Sequence, residues 1–123
     1  MSDFTKLKIW QRAHELTLAI YKITLELPKE EIFGLVTQIR RAAISVTSNI
    51  AEGESRYTTK DKLNFFIQAR ASSAEVQSQL LLIADLYPKI RNLSLKTKNE
   101  YELLSKQINS LITFRRNAEY DKS

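Results

Sequence analysis

Few side chains in this sequence can do chemistry, and their types exclude most of it. His14 is the only histidine and cysteine is absent, so thiol nucleophiles, thiolate metal sites and disulfides drop out. A transition-metal site would rest on carboxylates almost alone. The Glu-x-x-His motif of di-iron helical bundles fails as well, because the residue three before His14 is Gln11. His14 adjoins Ala13 on an amphipathic segment and reads as a partly exposed surface residue. Gly34 and Gly53, the only glycines, lie too far apart for a phosphate-cradling loop. Ser45, Ser48, Ser72 and Ser73 have no neighbouring histidine to activate them.

Two carboxylates deserve weighing. Glu52 and Glu75 sit on consecutive predicted helices, and a carboxylate pair whose pKa values are split by burial can do acid–base work. The competing reading is a structural network in which Ser45, Ser48, Asn49, Glu52, Ser72 and Glu75, with Arg41, satisfy one another across a packed or subunit interface. That structural reading is adopted. No catalytic residue, metal, cofactor or small-molecule substrate is expected, and the chain is read as a non-enzyme.

Cations are the more promising group. Arg40, Arg41, Arg56, Lys60 and Lys62 bracket the turn between the second and third helices, and Arg115 and Arg116 lie near the end of the fourth. Clusters of this kind contact phosphates, and Tyr57 stands among them as a ring for base stacking. The alternative is an ordinary solvated helix end, with Arg115 and Arg116 complementing the dipole of the last turn. Nineteen Lys and Arg against fourteen Asp and Glu give a net charge of +5, and the pI is near 9.5. This balance permits a polyanionic partner without requiring one.

Helical periodicity accounts for the elements that must position these groups. Trp10, Ala13, Leu16, Ile20, Ile23 and Leu27 step by three or four, until Pro28 forces Leu27 out of the helical region. Ile32, Leu35, Ile39, Ala42, Ala43, Val46 and Ile50 form a second stripe, with Gly53 as a candidate left-handed terminator. Thr58 or Thr59 can cap a third helix whose core face is Phe66, Ala69, Ser73, Val76, Leu80, Ile83 and Tyr87, ended by Pro88. Ser94 can cap a fourth, carrying Tyr101, Leu104, Ile108, Leu111 and Ile112. Helices are expected at about 6–26, 31–52, 59–90 and 95–117, with a frayed tail beyond.

Four amphipathic helices with short connections specify an all-α, antiparallel up-down-up-down four-helix bundle, and 123 residues make one domain, 1–123. Two glycines and two prolines leave too few turns for an all-β fold. The composition, 43% hydrophobic and 27% charged, is that of a soluble protein. No signal peptide or membrane span is visible, so the expected location is the cytoplasm.

Two features exceed the needs of a lone bundle. Leu80 to Tyr87 is apolar nearly all round, which asks for cover on more than one side and points to a subunit interface. The stripe Arg41, Ser45, Ser48 and Glu52, flanked by Gln38 and Asn49, faces a second stripe of Gln68, Ser72, Glu75 and Gln79 on the third helix.

Leu7-Lys8-Ile9-Trp10-Gln11-Arg12-Ala13, Leu27-Pro28, Phe33-Gly34-Leu35, the block from Gln38 to Ser45, Asn49-Ile50-Ala51-Glu52-Gly53 and Ser72-Ser73-Ala74-Glu75 together carry a resemblance. The chain resembles the four-helix-bundle family encoded in 23S ribosomal RNA intervening sequences. That family is also similar to the accessory variability determinant of diversity-generating retroelements. The resemblance implies a homopentamer and a possible RNA or reverse-transcriptase ribonucleoprotein partner. The expected function is RNA binding by basic residues gathered through symmetry. The alternative is a protein-interaction scaffold or adaptor with no direct nucleic-acid binding.

Overall fold

The computed structural model describes residues 3–122; Met1, Ser2 and Ser123 lie outside them. Four α-helices fill the described chain: α1 (Lys8–Leu25), α2 (Thr37–Ser55), α3 (Thr59–Leu86) and α4 (Arg91–Lys122). The protein is an all-α four-helix bundle. Each helix packs on the next, and α1 also packs on α4. Bridges between consecutive helices run in antiparallel order. Thr17 and Thr24 of α1 meet Ala43 and Arg40 of α2, and Ser45 and Gly53 meet Ser72 and Phe66. Arg70 and Ser73 of α3 meet Asn109 and Ser105 of α4.

The stripes predicted from spacing form the core. Leu16, Ile20, Ile23, Ile39, Val46, Ile50, Phe66, Leu80, Ile83, Tyr101, Leu104 and Ile108 are almost wholly buried. Each such aliphatic or aromatic side chain contributes about 1.5–3 kcal/mol through burial. Buried Ala13, Ala42, Ala43 and Ala69 let neighbouring backbones approach. No helix among the described residues is long and apolar enough to cross a membrane.

The joints depart from expectation for identifiable reasons. A 3-10 turn at Lys29–Glu31 and a π-helical turn at Ile32–Val36 precede α2, because Gly34 takes a non-helical conformation (φ −115°, ψ −107°). The segment 31–52 is therefore not one continuous helix. Gly53 does not terminate α2. It is helical and has no positive φ, and α2 runs on to Ser55. Its lack of a side chain serves packing instead: a Cβ there would lie 2.8 Å from the Phe66 ring and 3.1 Å from the Lys62 carbonyl.

Pro88 ends α3 at Leu86 and opens a 3-10 turn that leads directly into α4. Ser94 is thus inside α4 and wholly buried rather than capping its start. At the opposite end α4 continues past Asn117 to Lys122. Thr58 caps α3 as expected, its hydroxyl accepting from the Asp61 N–H at 3.1 Å.

Candidate functional site

The cations singled out by sequence divide into two groups. Arg40 lies at the α1–α2 seam, donating to the Thr24 hydroxyl at 2.9 Å with its guanidinium 4.2 Å from the centre of the Tyr21 ring. Arg115 makes a two-pronged bond to Glu54, at 2.6 and 3.1 Å. Lys62 donates to the Glu54 carbonyl at 2.7 Å and stands 3.7 Å from its carboxylate. These three are occupied inside the bundle, which corrects their reading as nucleic-acid contacts: positions in phase with the core turn a side chain inward whatever its charge.

Arg41, Lys60 and Arg116 form the outward group; all three are exposed and make no ion pair among the described residues. Arg56 is intermediate. It pairs with Glu52 at 3.2 Å and lies over the Phe65 ring at 4.7 Å, yet its side chain is nearly half exposed.

Glu54 is the residue that sequence reasoning missed. Assigned to a polar link, it is instead 5% exposed, the most deeply buried carboxylate among the described residues. The Glu54 cluster joins the end of α2 to the start of α3 and the end of α4. Phe66 closes it from beneath, with the Arg115 guanidinium 5.3 Å from the ring centre. The signal was present in the spacing: Gly53 and Glu54 follow Ile50 by three and four, and Arg115 follows Ile112 by three.

The polar stripes separate in the same way. Ser45 and Ser72 share a hydrogen bond of 2.8 Å across α2 and α3, and Asn49 donates to the Ser45 carbonyl and hydroxyl at 2.9 and 3.0 Å. Ser48, Glu52 and Glu75 are exposed and stand outside this group. The Ser45–Ser72 register puts Glu75 level with Ala42, ten positions from Glu52 on α2, a separation of about 15 Å along the axis. The considered acid–base pair is not assembled.

His14 is exposed and stacks on Trp10, ring centres 4.9 Å apart. A second polar group, also unforeseen, lies between α3 and α4. The Ser105 hydroxyl donates to Ser73 at 2.7 Å, and Ser73 reaches the Tyr101 carbonyl at 3.2 Å. Tyr101 itself is buried, which pushes its phenol above the ordinary range, and its hydroxyl has no hydrogen-bond partner among the described residues.

Around the outward cations, Thr58, Thr59, Lys60, Leu63, Arg116 and Glu119 line an open cavity of about 440 Å³ between the start of α3 and the end of α4. Glu119 is held there by Thr59 at 2.8 Å. Three residues, Arg56 to Thr58, connect α2 to α3 beside it, and the Tyr57 ring is 97% exposed. Among the described residues no group of three His, Asp or Glu side chains could hold a metal ion.

Residues 5–110 match the model of a protein family described as 23S rRNA-intervening sequence protein. No curated protein matches the chain at a significant level.

Proposed function

The chain belongs to the 23S rRNA-intervening sequence protein family, and from that premise we propose that it is a non-enzymatic homo-oligomer that binds RNA. The observation that carries this reading is the partition of its cations. After internal pairing has used Arg40, Lys62 and Arg115, the outward Lys60 and Arg116 still meet in one open cavity. The net charge of +5 supports it, since five copies would carry about +25 on one particle and bind a polyanion with steep salt dependence.

Self-association is supported by apolar side chains that the bundle leaves uncovered. Leu81, Leu82 and Leu86 on α3 are each about half exposed, on the segment whose all-round apolar character suggested an interface. A pentamer follows from the family resemblance. The same uncovered leucines favour the second reading, a scaffold for another protein.

Light scattering and RNA anisotropy separate the readings. The proposal expects an oligomer at micromolar concentration, and affinity for structured RNA that falls as salt rises. A monomer would remove the charge-gathering argument. An oligomer with no affinity for RNA even at low salt would leave the scaffold reading in its place.

A further inference from the structure

We propose that the α2–α3 turn and the adjoining cavity form a contact for unpaired RNA, with Tyr57 stacking on an exposed base and Lys60 and Arg116 holding the neighbouring phosphate. This rests on the RNA-binding reading above and specifies which form of RNA the site takes.

Tyr57 is a nearly fully exposed aromatic ring on a backbone fixed from both sides. Arg56 is held by Glu52 and by the Phe65 ring, and its N–H closes α2 on the Gly53 carbonyl at 3.2 Å. Thr58 is held by its cap bond to Asp61 and by accepting the Lys62 N–H at 3.0 Å. A ring carried on a fixed turn loses little backbone entropy when a flat partner stacks on it. A lone exposed aromatic is ordinary on protein surfaces; here it stands next to a cavity built for an anion.

Lys60 and Arg116 supply two positive charges to that cavity, and the single carboxylate of Glu119 is turned to Thr59. The first N–H groups of α3, those of Thr59 and Lys60, have no acceptor within the helix and add positive potential on the same side. Thr58, Thr59 and Lys60 follow Tyr57 directly in the chain, so the stacking ring and the phosphate groups move as one unit.

Paired RNA does not offer what this surface takes. In an A-form duplex the base faces are consumed by stacking, and proteins reach mainly the backbone and minor groove; unpaired loops and ends expose whole bases. A cationic patch alone would bind both forms, and the ring confers the preference for the unpaired one.

The experiment is fluorescence anisotropy on the intact oligomer with a labelled 20-nucleotide oligouridylate and, separately, a blunt 20-base-pair RNA duplex. Tyr57→Ala should weaken oligouridylate binding by about tenfold, the effect of losing one base–aromatic stack, while leaving duplex binding unchanged. Tyr57→Phe should bind as the wild type does, because stacking needs only the ring. Lys60→Gln should weaken both ligands and flatten their salt dependence. Equal oligouridylate binding by Tyr57→Ala and wild type, or tighter binding of the duplex, would overturn the inference and leave RNA binding itself standing. Failure to bind either RNA at low salt would overturn both. Because Tyr57 touches no core residue, an unchanged melting temperature is expected of both its variants, and it separates lost binding from lost folding.

Discussion

Arg40–Arg41 and Arg115–Arg116 are two arginine doublets placed toward opposite ends of the bundle, and both split in the same manner. Arg40 turns in to Thr24 and Tyr21, and Arg41 faces solvent. Arg115 turns in to Glu54, and Arg116 faces the open cavity. Neighbours on an α-helix point about 100° apart, so a basic pair in sequence is seldom a basic pair in space. The inner partners also differ. Arg115 neutralises a carboxylate that has left water, whereas Arg40 bonds a neutral hydroxyl and a ring at a half-exposed seam. The first is required for folding around Glu54. The second strengthens a seam that already has an apolar lining.

The sharpest break in this comparison is expected at the Glu54 corner. Arg115→Ala should lower unfolding free energy by about 3 kcal/mol in chemical denaturation, because removing one member of a buried pair strands the other charge. Arg116→Ala, one residue away, should shift it by less than about 0.5 kcal/mol. Equal effects from the two would mean the inner–outer division does not hold.

Next in size, Gly53→Ala presses on the same corner from the backbone side. The added methyl must displace the Phe66 ring or the Lys62 carbonyl, at a cost of about 1–3 kcal/mol. Glycine in mid-helix is ordinarily improved by alanine, so the sign of this change in thermal melting separates a packing role from mere tolerance.

At the other doublet Arg40→Ala should cost about 1 kcal/mol, from one charge-assisted hydrogen bond and one exposed cation–π contact. Arg41→Ala should cost nothing measurable. The smallest effect concerns pH near the same end, where the Tyr87 hydroxyl donates to Glu31. That bond, reinforced by partial desolvation and the charges of Glu31 and Glu30, pushes the Tyr87 phenol up to about 12. The folded-state value is the higher one, so the contribution is complete below about pH 10 and is lost as pH rises toward 12. The wild type should therefore lose stability over that interval more steeply than Tyr87→Phe, measured as the difference between their denaturation midpoints.

How much of this was legible in the sequence follows from the same geometry. The stripes through Ile20, Ile39, Val46, Phe66 and Leu104 were plain, because apolar residues at three- and four-residue steps leave a helix few other ways to pack. The Thr58 cap and the stop at Pro88 were plain for local reasons. What escaped was chemistry placed in phase with those stripes. Gly53 and Glu54 continue the face of Ile50, and Arg115 continues that of Ile112, but turn-forming and charged residue types outweighed the period. The π-helical turn at Ile32–Val36 escaped because Gly34 sits inside an apolar run without a breaking proline. Of the site, the residue types were readable. Which cation faces which partner needed the pairing of three helices that no local pattern specifies.

The claim that the outward cations are the RNA contact is tested most directly by the salt slope of binding. Anisotropy with one structured RNA at several salt concentrations should give the wild type a slope that falls by about one unit each in Arg41→Gln and Arg116→Gln if each copy engages one phosphate through that residue. Both variants should melt and assemble as the wild type does. A slope unchanged in both variants, with RNA still bound, would contradict the outward assignment and return the search for the interface to the rest of the surface.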